Sequence, residues 1–208
     1  HHLGLSSPVA ARKTARAEHI LFHSLVKYAQ MRIISGSHKG RQIIPDKNFS
    51  ARPTTDFAKE NLFNVLSNYI DIEGAKVLDL FSGTGSISYE FASRGAAEII
   101  SVESNFKHYA FIKRVAQELN FKNIKIYRTD AFIACKKLKG QKFDLIFADP
   151  PYNLDKIADV PAAIFDNELL SEEGLAIVEH PASVDYSHLP YFSEHRQYGS
   201  VNFSIFRY

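Results

Sequence analysis

The sequence is poor in several things, and each shortage removes a class of protein. It has a single cysteine, Cys135, among 208 residues. An intrachain disulfide and a thiolate metal cluster are therefore excluded, and a reducing, cytoplasmic setting is expected. It has one methionine and no tryptophan. No apolar run approaches the roughly 18–20 residues that a membrane span needs. No segment repeats and none is of low complexity. Net charge is also small, since 25 Lys+Arg against 23 Asp+Glu leave +2.

That small total hides an uneven distribution. Residues 1–60 carry ten basic and four acidic groups, a balance of +6, while the rest carries 15 and 19, a balance of −4. A basic arm on a mildly acidic body points to a polyanionic partner, although a solvated charged face gives the same arithmetic. The head reads as a tag or upstream extension over residues 1–30: it opens on His1 and His2, and the only methionine, Met31, precedes a strand-like Arg32-Ile33-Ile34. Segment 15–29 has the spacing of an amphipathic helix. His19 and His23 share its face at i, i+4, but with no acidic third ligand they predict a surface, not a metal site.

The hydrophobic fraction of 45% is enough to build a core. Residues 31–45 predict a short β-hairpin broken by Gly36 and Gly40, followed by a polar loop to Arg52-Pro53. Thr54 or Thr55 can cap a helix running to about residue 69. From residue 75 strands and helices alternate. Strands are predicted at 75–81, 98–103, 124–128, 143–148 and 174–180, with helices from the glycine loop to Gly95 and over 105–119, 130–139 and 155–170. An aromatic-rich antiparallel hairpin closes the chain at 190–208. The pattern predicts a doubly wound α/β fold with a mostly parallel sheet, five strands plus the terminal pair. Ligands of such sheets lie beyond the carboxyl ends of the strands.

Four motifs sit at those ends. Asp79-Leu80-Phe81-Ser82-Gly83-Thr84-Gly85-Ser86 spans a strand-to-helix turn, where glycines admit positive φ and let a ligand approach the backbone. Ser88 stands where a dinucleotide fingerprint needs its third glycine, which lowers the dehydrogenase reading. Glu103 ends the second strand and can accept hydrogen bonds from both hydroxyls of a ribose. Asp130-Ala131 follows the third strand, where Asp130 either caps a helix or accepts from an adenine amine. Asp149-Pro150-Pro151-Tyr152 ends the fourth. Its prolines hold an extended turn that can aim the Asp149 carboxylate and the Pro150 carbonyl at one exocyclic amine. Tyr152 adds a flat face for a base to stack on. Glu179-His180, ending the fifth strand, reads as a polar strand end, Tyr191 and Tyr198 as candidate base neighbours, and Cys135 as packing.

In this order DLFSGTGS, VE and DPPY resemble the S-adenosylmethionine-dependent amino-methyltransferases. More narrowly, MRIISGSHKGR and RPTTDFAKENLFNVL, followed by those motifs, resemble the RsmD family, which methylates the N2 amine of one guanine in 16S ribosomal RNA. The resemblance spans about residues 31–208. It implies a seven-stranded, Rossmann-like class I methyltransferase domain over 54–208, with an RNA-binding hairpin and loop at 31–53. It implies that Asp79, Phe81, Ser82, Gly83, Thr84 and Gly85 cradle the methionine end of the cofactor. Glu103 would hold its ribose, and Asp130 with Ala131 its adenine. Asp149, Pro150, Pro151 and Tyr152 would receive a flipped guanine. Arg32, Lys39, Arg41, Arg52, Thr54, Thr55, Asp56 and Lys59 would meet the RNA. Two departures stand out: Lys59 replaces the family's usual arginine, and Asn105 replaces an aspartate after the ribose acid. The expected partner is 16S rRNA, free or in a small-subunit assembly intermediate. With no heptad pattern, a monomer is expected. Two alternatives keep the chemistry and change the substrate, to adenine-N6 in DNA or to tRNA. A non-catalytic RNA-binding module and a nicotinamide oxidoreductase fit the motifs less well.

Overall fold

A computed structural model describes residues 31–46 and 54–208. The predicted helix over 15–29, with His19 and His23, and the loop residue Arg52 lie outside the described residues.

The elements follow the alternation of the sequence. They are α1 (Asp56–Ser67), β1 (Lys76–Leu80), α2 (Ser86–Ser93), β2 (Glu98–Val102), α3 (Phe106–Glu118), β3 (Ile124–Tyr127), α4 (Ala131–Lys137), β4 (Phe143–Ala148), α5 (Val160–Asp166), β5 (Leu170–His180), β6 (Phe192–Tyr198) and β7 (Val201–Phe206). The sheet has seven strands in the order β3-β2-β1-β4-β5-β7-β6. The first five are parallel, while β7 runs antiparallel to β5 and β6 antiparallel to β7. Strand order therefore reverses between β1 and β4, which opens a crevice above their carboxyl ends.

Alternation along each strand divides the core into two layers. Val77, Ile99, Leu145, Phe147, Ile177 and Ile205 face α1, α2, α3 and the residues around Ile33. Leu78, Ile100, Ile146, Ala176, Val178 and Phe206 face α4 and α5. Both faces of the central parallel strands are covered, so those strands read as mostly apolar runs, whereas β3 at the edge alternates half-buried with exposed residues. Thr55 caps α1, its Oγ1 accepting from the Ala58 amide at 3.2 Å. Along α1, Leu62, Phe63 and Leu66 fill the core at helical spacing.

Two predicted elements differ in extent. The helix expected over 155–170 is a 3-10 turn at Ile157–Asp159 followed by α5. Pro161 sits in the first turn of α5, and Glu168 turns left-handed (φ 54°) just after it. Strand β5 then starts at Leu170, earlier than its apolar run indicates. The pairing to β4 slips between Phe143 and Leu145, so Ser171–Gly174 bulge out and carry the polar residues that obscured the strand.

The N-terminal hairpin is reduced to one antiparallel bridge, Arg32 with Gln42, closed by a turn at 36–40. Met31, Ile33 and Ile43 are buried in the first core layer. Glu90 in α2, itself fully buried, accepts the amides of Ile34 at 3.1 Å and Ser35 at 3.0 Å. A Cβ on Gly36 (φ 91°) would stand 2.0 Å from the Ser93 carbonyl oxygen, so that close approach requires glycine.

Candidate active site

Side-chain parity brings four acids to one face of the sheet at its carboxyl end. Asp79 pairs in register with Phe147, and Phe147 with Ile177. Two residues further along, Asp149 and Glu179 stand beside each other on that same face. Glu103 follows from Ser101, the partner of Asp79 on the other side.

The glycine loop links β1 to α2. Phe81, Gly83 and Gly85 all have positive φ (59°, 57° and 81°). A Cβ on Gly85 would meet the Tyr89 ring at 2.6 Å, and the Tyr89 hydroxyl donates to the Thr84 carbonyl at 2.7 Å. Thus Tyr89 fills the space behind the loop. Glu103 holds the loop from β2. One carboxylate oxygen accepts the Gly83 amide at 2.7 Å and the other accepts the Asn105 amide at 3.0 Å. Each oxygen has a second lone pair for a ribose hydroxyl. Asn105 caps α3, accepting the His108 amide at 3.1 Å, and so serves the helix in its own right.

Asp79 is buried beneath this loop. The Ser88 hydroxyl donates to it at 2.6 Å, and no lysine or arginine pairs with it among the described residues. Burial pushes its pKa up to about 7; the hydroxyls of Ser88 and Ser82 oppose that shift, and the charge of Glu103 adds to it. A buried acid without a cation suits the positively charged end of S-adenosylmethionine, an ammonium and a sulfonium. One consequence concerns stability. The folded pKa lies above the unfolded value of about 4, so the ligand-free protein loses stability as pH rises from about 4 through 7. Asp79→Asn should abolish that loss. At pH 8 the ligand-free variant should be the more stable by on the order of 2–4 kcal/mol, with little difference near pH 4. Chemical denaturation across this range measures it, and a wild-type advantage at pH 8 would contradict it.

Asp130 both ends the third motif and caps α4. Its Oδ1 accepts the amides of Phe132 at 2.9 Å and Ile133 at 3.1 Å. Ala131 is buried behind it, and the Phe132 ring comes edge-on to Phe81, centroids 6.4 Å apart. Nothing in the spacing of the sequence singled out Phe132.

Asp149 keeps part of its surface open to solvent. The protein packed around its carboxyl, then the charge and hydrogen bond of Glu179, then Asp79, push its pKa well above the ordinary carboxylate range. Pro150 is buried, whereas Tyr152 is 46% exposed and its hydroxyl donates to Glu179 at 3.3 Å. Glu179 therefore belongs to this constellation, although the sequence reading treated it as a plain strand end. Its parity with Ile177 on β5 was the available signal.

Of the residues expected at the RNA, Arg32, Lys39 and Arg41 are exposed. Arg32 pairs with Asp56 at 2.7 Å. Thr54 lies just before the cap and Thr55 is the cap itself. Lys59, expected at the RNA, is instead buried. It is 1% exposed and donates to the Arg32 carbonyl, with Glu90 at 3.3 Å and Ser86 Oγ at 3.4 Å. An ammonium so enclosed cannot reach a phosphate; it ties the N-terminal segment to α2. Tyr191 is also misplaced by the sequence reading. It precedes β6 at the amino end of the parallel strands, opposite the site, and packs on Phe165 and Tyr208. Cys135 is buried, and burial lifts its thiol to about 12. His180 points to the other face, bonded to Ser204 at 2.7 Å. Two sizeable cavities lie away from these strand ends; one, of about 500 Å³, is walled by Tyr109, Lys113, Phe121 and Lys122.

Known proteins are similar to this chain in sequence and fold. The family model described as conserved hypothetical protein 95 matches residues 31–207. A putative rRNA methyltransferase, YlbH of Bacillus subtilis, is 38% identical over 160 residues, covering 74% of this chain and 85% of the relative. The ribosomal RNA small subunit methyltransferase D of Escherichia coli is 34% identical over 152 residues, covering 72% and 74%. The solved structure of the putative methyltransferase yhhF from Escherichia coli superposes with a TM-score of 0.73 at 28% identity, over 85% of this chain and 97% of that one. A family match along nearly the whole described chain, on a sheet whose switch point carries the motifs, makes this protein a member of the RsmD family of methyltransferases.

Proposed function

We propose that the protein transfers a methyl group from S-adenosylmethionine to the exocyclic N2 amine of a guanine in small-subunit ribosomal RNA. The observation that carries this reading is the placement of Asp149 at the end of β4, on the sheet face that Asp79 and Glu103 share. A base amine held by Asp149 then lies beside the cofactor cleft.

Each part of the chain has a task in this reading. Asp79, Phe81, Ser82, Gly83, Thr84 and Gly85 hold the methionine end of the cofactor, Glu103 its ribose, and Asp130 with Ala131 its adenine. When bound, the cofactor supplies a methyl group that its sulfonium has made electrophilic. Asp149 and the Pro150 carbonyl accept the two N2 hydrogens, which turns the nitrogen lone pair out of conjugation and towards the methyl. Pro151 stiffens the turn, and Tyr152 stacks on the base. N2 gains a carbon and gives up a proton, and the raised pKa of Asp149 makes its ionised carboxylate the stronger base for that proton. Alignment supplies the rest of the acceleration. A guanine in a helix must leave its stack first, at a cost of a few kcal/mol.

Arg32, Lys39 and Arg41 stand exposed in the N-terminal segment, and with Arg52 they supply phosphate contacts that position RNA without reading its sequence. Thr54, Thr55 and Asp56 fix the entrance to the cleft. Residues 31–53 act in this reading as the RNA-gripping segment and 54–208 as the catalytic domain. The names of the relatives agree with an rRNA substrate.

The deciding experiment supplies purified protein with methyl-labelled S-adenosylmethionine and small-subunit rRNA, or subunits, from cells that lack this gene. The label should appear at one guanine, as N2-methylguanosine on nucleoside analysis. Label on adenine, or on tRNA in preference to rRNA, would overturn the assignment.

A further inference from the structure

Glu179 is the acid at this site that the methyl-transfer reading leaves without a task. It stands next to Asp149 on the adjacent strand and on the same face of the sheet. The buried Phe203 of β7 is its cross-strand partner, so the far side of the position is closed. The exposed Tyr152 ring bonds to it from the mouth of the site. A base stacked on Tyr152, with its amine at Asp149, brings the neighbouring atom of its pairing edge towards Glu179.

We propose that Glu179 is the residue that selects guanine, by accepting the N1–H beside the methylated amine. This rests on the reading above, in which an N2 amine is the nucleophile. The pairing edge of guanine presents N1–H and N2–H2, three hydrogens in a row. Two neighbouring carboxylates and a carbonyl are the matching acceptors. Adenine presents an amine next to a bare N1 lone pair, which Glu179 repels once the pair has ionised. The side chain that binds guanine therefore also rejects adenine.

The free protein carries a substitute for those donors. Glu179 raises the pKa of Asp149 through its charge and a side-chain hydrogen bond, which favours a proton held by the pair. The entry of three N–H groups makes that proton redundant and releases it to solvent. When N2 later gives up a proton, the pair can take one again.

The test uses the full chain and small-subunit rRNA in which the mapped target guanine is replaced, by splinted ligation, with 2-aminopurine. This base keeps the N2 amine but has a lone pair at N1 and no O6. Wild-type protein should prefer guanine by on the order of 10- to 100-fold in kcat/KM. Glu179→Gln can accept from guanine or donate to 2-aminopurine, so the preference should shrink about tenfold or more. The missing O6 affects both proteins alike and cancels in the comparison. The fluorescence of 2-aminopurine reports base capture independently of turnover, and Glu179→Gln should bind this RNA more tightly than wild type does. An undiminished preference in Glu179→Gln, with both substrates slowed equally, would overturn the role of Glu179 and leave methyl transfer standing. No transfer to guanine RNA by wild type would overturn the parent reading.

Discussion

Asp149→Ala is expected to slow single-turnover methyl transfer by about 10²–10⁴-fold while cofactor affinity stays within a few-fold of wild type. The variant loses the acceptor that orients the amine and the base that takes its proton. It does not disturb the glycine loop, which Glu103 and Tyr89 hold from the other side of the cleft. Nor should the fold suffer. The pKa of Asp149 is raised, so burying this acid costs stability wherever it must ionise. Its removal should leave the protein as stable as before, or more so at alkaline pH. The same shift gives wild-type kcat/KM a sign: activity should rise with pH as the Asp149–Glu179 pair gives up its proton. Rapid-quench kinetics at saturating cofactor, together with calorimetric cofactor binding, measure both quantities. Loss of cofactor binding in parallel with activity would mean that Asp149 supports the fold rather than the transfer.

Much of this site is legible in sequence because it lies at strand ends, where position along the chain fixes position in space. DLFSGTGS, Glu103, Asp130 and DPPY each lie at the end of a strand that the sequence marks, and a parallel sheet gathers all such ends on one edge. What stays hidden depends on side-chain direction. Glu179 ends its strand as plainly as Glu103 ends its own, but its relevance requires knowing that β5 lies beside β4 with Ala148 opposite Val178. Lys59 fails for a related reason. In a basic arm, a lysine reads as a solvated charge. Its partner Glu90 lies 31 residues downstream in a different helix, and only tertiary packing joins them. The shortened α5 and lengthened β5 were obscured locally, since a bulge rich in acids breaks the alternation that marks a strand. The charge asymmetry between arm and body also needs narrowing. One of the arm's cations is interior, so the exposed described cations of that segment are Arg32, Lys39 and Arg41.

Glu90→Ala should be among the most destabilising single substitutions in the chain, at about 3–5 kcal/mol. Glu90 is 0% exposed and gathers Lys59 at 3.3 Å, Arg94 at 3.0 Å and the amides of Ile34 and Ser35. Truncation leaves two backbone donors unsatisfied and a lysine ammonium uncompensated in a dry site. Burial already pulls the pKa of Lys59 below the usual lysine range even with Glu90 beside it. For a domain of this size the melting temperature should fall by roughly 10 °C. A second substitution identifies the cause. Lys59→Met removes the cation and keeps its length, so Glu90→Ala made in that background should cost less than it does alone. Additive losses would instead assign the cost to the orphaned amides and to the lost packing. The functional consequence has a direction too. Lys59 also reaches Ser86, the first residue of α2, directly after Gly85. The glycine loop and the exposed Arg32 therefore share one buried anchor, and loosening it should weaken cofactor and RNA binding together, whereas Asp149→Ala leaves the cofactor bound.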